Sequence, residues 1–107
     1  MDQRIVKIIG EVVWKCFRAK SGRNWIGICD PLALTIQSDT WANLTEDIGQ
    51  ALNALFSDLL KSRELEQFLS DRGWRAVGRL PAKPAGVWFD LPFVPTPVKR
   101  DTQVALR

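Results

Sequence analysis

The stretch SDTWANLTEDIGQALNALFSDLL, residues 38–60, decides the fold. Ser38-Asp39-Thr40 places short oxygen-bearing side chains ahead of an apolar pattern. Asp39 or Thr40 can cap a helix there by accepting from its free backbone N–H groups. Leu44, Ile48, Ala51, Leu52, Leu55, Phe56 and Leu59 then recur at helical spacing. Glu46, Gln50, Asn53 and Ser57 mark the opposite, polar side. Glu46 and Asp47 fall in the first turns, where the helix dipole favours negative charge. A stripe this long must cover something, and the sequence on either side offers strands.

Upstream, residues 33–38 alternate, with Leu34 and Ile36 on one side and Thr35 and Gln37 on the other, as in a half-buried strand. Asp30-Pro31 ends the strand before it, because proline cannot donate to a ladder. Residues 4–19 are rich in Val, Ile, Trp and Phe, interrupted at Gly10. Ser21-Gly22-Arg23-Asn24 separates two β-rich runs and signals a hairpin. With Gly22-Arg23 as a two-residue loop, Phe17 faces Ile28, Ala19 faces Ile26 and Cys16 faces Cys29. Side chains alternate between faces. One face then holds Val13, Lys15, Phe17, Ala19, Ile26 and Ile28; it is mostly apolar and is the expected core face. The other holds Trp14, Cys16, Arg18, Lys20, Trp25, Gly27 and Cys29.

Downstream, a second helix is expected from near Ser62, with Leu65, Phe68 and Leu69 as its stripe and Arg72-Gly73 as its stop. Residues 74–79 read as a further strand. Five of the six prolines lie between 81 and 97. Within that region Gly86–Phe93 is strand-like and aromatic, while Pro95-Thr-Pro97 and the polar residues after them read as an extended tail, frayed at its end. The order β-β-β-α-α-β gives an α+β fold: a three- to five-stranded, mainly antiparallel sheet with one long and one short helix on one face. The expected division is a domain over residues 1–79 and a Pro-rich extended segment over 80–107.

Composition narrows the chemistry. The 107 residues contain no His and two Cys. That excludes Ser-His-Asp and Cys-His catalytic sets and a histidine-type zinc site. An all-cysteine metal site needs more thiols than are present. No metal or cofactor is expected, and the chain reads as a non-enzyme. The net charge of +3 is unevenly spread: +4 over residues 1–29, −5 over 30–60 and +4 over 61–107. An acidic element between basic flanks suits contact between proteins or self-association. No apolar run approaches the roughly 18 residues of a membrane helix, and no signal peptide opens the chain, so a cytoplasmic protein with reduced thiols is expected.

Trp25-Ile-Gly-Ile-Cys-Asp30-Pro31-Leu32, the short strand after it, the Ser38-Asp39-Thr40 cap and the amphipathic helix together resemble the HicB-like antitoxin superfamily. The resemblance covers about residues 4–60. Members carry a Pro-Asp-Leu-Pro-Gly loop, a short strand, a Gly-Asp-Thr cap and a helix. Here Asp30-Pro31-Leu32 stands near the loop, no glycine stands near Ala33, Ser38 replaces the cap glycine and Asn43 replaces the capping-box Glu. The resemblance implies a degraded ribonuclease-H-like or partial ferredoxin-like domain. Such domains self-associate and neutralise a small ribonuclease toxin of HicA type. Many members also bind operator DNA through a C-terminal helix-turn-helix or ribbon-helix-helix. Neither pattern is visible after residue 61, so operator DNA is not an expected partner.

The expected function is therefore a protein-binding module, antitoxin-like and homodimeric, that covers a toxin's active site. Its candidate contact residues are Trp14, Arg18, Trp25, Trp88, Phe89 and Phe93, aromatic and Arg side chains being typical anchors. The alternative is RNA binding through the face carrying Trp14, Arg18, Lys20 and Trp25, where aromatics stack bases and cations pair phosphates. Asp30, Asp39, Glu46 and Asp47 are of the right type for a two-metal nuclease, but caps and solvated faces account for them. Asp39 and Thr40 are taken as the helix cap, and Cys16 and Cys29 as small apolar residues.

Overall fold

The computed structural model describes residues 4–20 and 22–98. In chain order it holds β1 (Arg4–Ile9), β2 (Val12–Arg18), β3 (Trp25–Cys29), a 3-10 turn (Asp30–Leu32), β4 (Leu34–Ser38), α1 (Trp41–Lys61), α2 (Leu65–Asp71), β5 (Arg75–Ala76), β6 (Val87–Asp90) and β7 (Phe93–Pro97). The class is α+β, as expected. The single sheet is corrected to two, ordered β5-β1-β6 and β4-β3-β2-β7. Two pairings, β1 with β6 and β2 with β7, are parallel. The chain forms two compact units, Met1–Glu11 with Gly49–Pro92 and Val12–Ile48 with Phe93–Arg107. Gly10 falls just before the break, between β1 and β2.

In the second unit, β2, β3 and β4 form an antiparallel meander. Phe17 pairs with Ile26 and Lys15 with Ile28, so the hairpin register lies two residues from the expected one. The turn is longer than two residues because Ala19 N–H donates to the Asn24 carbonyl and Gly22 N–H to the Ala19 carbonyl. A shift of two leaves the grouping of side chains on each face intact. Which face is buried is the reverse of expectation. Trp14, Cys16 and Cys29 have no exposed surface, whereas Val13 is 50% exposed. The reason lies at Gly27. A Cβ there would stand 3.3 Å from Trp14 Cε3 and within 3.5 Å of Leu44 Cδ1 and Ile48 Cδ1. The missing side chain admits the Trp14 ring and the first turns of α1 together, and that contact fixes the inner face.

Of the two residues expected to cap α1, Thr40 takes a backbone N–H and Asp39 a side-chain amide. Thr40 Oγ1 accepts from Asn43 N–H at 3.0 Å, and Asp39 Oδ1 accepts from Asn43 Nδ2 at 2.7 Å. Pro95-Thr-Pro97, expected as the start of a tail, belong to strand β7. Val98 N–H donates to the Cys16 carbonyl. Alternation along the strand then turns the ring nitrogens of Pro95 and Pro97 away from β2, so an edge strand loses no ladder bond to them. Beyond 98, the expected frayed end lies outside the described residues, as does Ser21.

In the first unit, Val6 and Ile8 of β1, Val87 and Phe89 of β6, and Leu91 are buried with Leu52, Phe56, Leu60, Leu65 and Leu69. Phe56 makes edge contacts with Phe68 and Phe89, at centroid distances of 6.2 and 5.9 Å. Asn53, expected on the polar side of α1, instead accepts through Oδ1 from Phe89 N–H at 2.8 Å. Its carbonyl oxygen satisfies the open edge of β6. The second helix starts at Leu65 and not at Ser62, because residues 62–64 close α1. Glu64 N–H reaches the Leu59 carbonyl and Arg63 N–H the Leu60 carbonyl, a Schellman closure with Arg63 where glycine usually stands. The strand expected over 74–79 is reduced to Arg75–Ala76, ended by Gly78 with φ +82°. Past residue 80, β6 joins the sheet of the first unit and β7 that of the second.

Candidate functional site

The residues expected to bind a partner divide by burial. Trp14 and Phe89 lie in the interior, at 0% and 2% exposure, and cannot touch a partner in the folded chain. The buried Trp14 indole N–H finds no acceptor among the described residues. A stacking platform built on Trp14 is therefore not available, since its face is the covered one. Arg18 is exposed, and Trp25, Trp88 and Phe93 are partly so.

Arg18 and Trp25 do meet. The Arg18 guanidinium carbon lies 5.1 Å from the Trp25 ring centroid, a cation–π contact. Arg18 Nη1 also donates to the Gly22 carbonyl at 3.0 Å, which fixes the side chain over the hairpin turn. Trp25 in turn meets Trp41 edge-on, at 4.9 Å and 71°. Trp41 was not among the expected contact residues. Its signal was legible: it continues the stripe of Leu44 and Ile48 one turn back, at the first position after the cap. The result is a half-exposed Arg-Trp-Trp cluster where α1 begins. Trp88 lies elsewhere, in the first unit, paired with Ile5 on the outer face of that sheet.

The larger feature of the second unit is the outer face of its sheet. Strand pairing puts Val13 beside Val94, Phe17 beside Ile26, and Ile28 beside both Lys15 and Thr35. Val13 and Val94 are exposed, and Phe17, Ile26 and Ile28 partly so. This is the apolar face that sequence alone assigned to the core. Lys15 Nζ crosses its margin to Asp30 Oδ2 at 3.5 Å, with both side chains well exposed. Such an exposed pair contributes about 0–1 kcal/mol.

The carboxylates do not converge. Asp30 pairs with Lys15, Asp39 bonds Asn43, and Asp47 accepts from Ser38 Oγ at 2.5 Å. Among the described residues no group of three metal-ligating side chains comes together. Cys16 and Cys29 are free and buried. The register places Cys16 opposite Gly27, so Cys29 is a diagonal neighbour at about 7–8 Å, beyond ordinary disulfide reach. Burial pushes both thiols above their usual value, which keeps them protonated and unreactive. Among the described residues no helix is long and apolar enough to cross a membrane. No family model, characterised protein or solved structure matches this chain.

Proposed function

We propose that this chain is a non-enzymatic protein-binding module of HicB-like antitoxin type. Its partner is a small basic ribonuclease, which it neutralises by covering the active site. The observation that carries this reading is the open apolar sheet face of Val13, Phe17, Ile26, Ile28 and Val94. Apolar area presented together in this way favours a protein partner. The Arg18-Trp25-Trp41 cluster of the same unit supplies anchor residues of the usual kind.

The fold supports the family reading in two places. An antiparallel meander, the first turns of a helix and, after α2, β5 and β6 of the other unit, a strand returning parallel to the first follow the strand order that a ribonuclease-H-like domain calls for. And Ala33, which stands near the family's loop glycine, has φ +55° and ψ +41°, a left-handed conformation natural to glycine. A homodimer belongs to the same proposal. β4 is the edge of this sheet with every donor in place, whereas the outer edge of β7 lacks two at Pro95 and Pro97.

The test is affinity capture with the wild-type chain and with V13E/I26E, which places charge on the open face and leaves the inner face unchanged. The wild type should retain a small basic ribonuclease and suppress its cleavage of RNA, and the variant should do neither. A wild-type chain that captures no such protein, or a variant that captures it equally well, overturns the reading. Light scattering on the purified chain checks the dimer.

A further inference from the structure

We propose that the first unit carries a groove for single-stranded nucleic acid, formed by the end of α1, by α2 and by residues 74–84. Three open hollows adjoin there, of about 320, 360 and 370 Å³. The first and second share Glu66 and Leu80; the second and third share Leu60, Arg63 and Ala82. Each hollow therefore adjoins the next. Arg75, Arg79, Arg63, Lys61 and Lys83 line these three hollows, against the carboxylate of Glu66; Glu64 and Asp71 line a further hollow that adjoins at Arg63. All five cations are exposed. None of them forms an ion pair among the described residues. A row of unneutralised cations along a groove is the electrostatic footprint of a polyanion.

The choice of polyanion rests on the surface that the groove leaves uncovered. Leu65 and Leu69 are buried in the unit's own core, at 1% and 2% exposure, and Leu60 is nearly so. The apolar lining left open belongs chiefly to the half-exposed Trp74, Leu80 and Pro81 and to the small exposed Ala82 and Ala85, in open hollows unlike the desolvated pockets that the anchors of an acidic peptide need. What remains is charge and the half-exposed faces of Trp74, Leu80 and Pro81. The half-exposed Trp74 ring beside cations suits an unstacked base with phosphates on either side. Three of the five cations are Arg, which meets phosphate through two parallel N–H donors. Arg79 is held in place by its backbone, since its carbonyl accepts from Arg4 Nη2 at 2.8 Å. Arg63 keeps a side chain where the Schellman closure of α1 favours glycine, at φ +65°.

The experiment is fluorescence polarisation with a labelled twelve-nucleotide oligouridine over a salt series. Five phosphate contacts on a single strand give a log–log slope of about −3.5, or roughly a hundredfold loss of affinity between 50 and 200 mM salt. R75A/R79A should flatten the slope by about 1.4. R63G should flatten it by about 0.7 while raising the melting temperature, because glycine suits φ +65° better than arginine. That opposition separates a lost contact from a damaged fold. K20A/R23A, on the hairpin of the other unit, should leave the slope unchanged. Three results overturn the proposal: no salt-dependent binding of the wild type; equal slopes for the wild type and R75A/R79A; or tighter binding of a poly-glutamate peptide or of duplex RNA than of the oligouridine.

Discussion

Replacing Gly10 by alanine tests how the first unit is packed. An ideal Cβ on Gly10 would lie 2.5 Å from Trp74 Cδ1, 2.6 Å from Cγ and 3.0 Å from Nε1. Carbon atoms rest at roughly 3.5–4.0 Å, so the indole must retreat by about 1 Å. Overpacking of this kind costs about 1–3 kcal/mol. Alanine also restricts the unfolded chain, which returns about 0.4–1 kcal/mol. The net expectation for G10A is a loss of about 1–2 kcal/mol, or a fall in Tm of about 5–10 °C for a chain of this size. Gly10 is not among the glycines with positive φ, so backbone strain plays no part. The three nearest atoms all belong to Trp74, so the main cost lies there, and a second substitution isolates it. In a W74A background, G10A should become neutral or stabilising by about 0.4–1 kcal/mol. Urea unfolding of the four proteins gives the coupling energy directly. An equal cost for G10A in both backgrounds, or no cost in the wild type, would refute the packing argument.

Other perturbations have equally definite outcomes. A33G removes a Cβ from a left-handed residue; relief of about 1–2 kcal/mol against the entropy of glycine leaves a gain of about 0.5–1 kcal/mol, and an unchanged urea midpoint would count against strain at that loop. N53A leaves Phe89 N–H without its acceptor and should cost about 1–2 kcal/mol; a neutral result would show that the hydrogen bond between α1 and β6 contributes nothing. Cys16 and Cys29 have thiols raised above 9.0 by burial, so the folded chain holds those protons more tightly than the unfolded one. Stability from this source is full below pH 9 and declines as pH rises through the folded values. A flat stability profile from pH 8 to 10.5, or rapid labelling of either thiol by a disulfide reagent in the native state at pH 8, would contradict it.

Much of the fold was legible from local chemistry. The Asp39-Thr40 cap, the stripe of α1, the proline stop at residue 31 and the Arg72-Gly73 stop of α2 each depend on residues within a turn or two of one another. Alternation likewise sorted β2 and β3 into their two faces. The candidate site was less legible, because exposure is not a local property. Trp14 and Phe89 looked like contact residues by type and lie inside, whereas Trp41 reads locally as one more residue of the apolar stripe of α1 and instead completes the Trp25 cluster. Asn53 looks like a solvated residue until β6 comes to lie beside it.

By itself the sequence determined the elements, their caps and stops, the absence of histidine chemistry and the grouping of side chains on each strand. Tertiary structure decided which face of the meander is inside. Both faces carry enough apolar area to serve, so hydrophobicity alone does not choose between them. The choice falls to shape: Gly27 has no side chain, Trp14 fills the space over it, and Leu44 and Ile48 close on both. Tertiary structure also made a strand of residues 93–97 and chose the partners of both late strands, 87–90 and 93–97. Their parallel partners, β1 and β2, lie some 80 residues away in the chain, and no local pattern encodes a pairing at that separation.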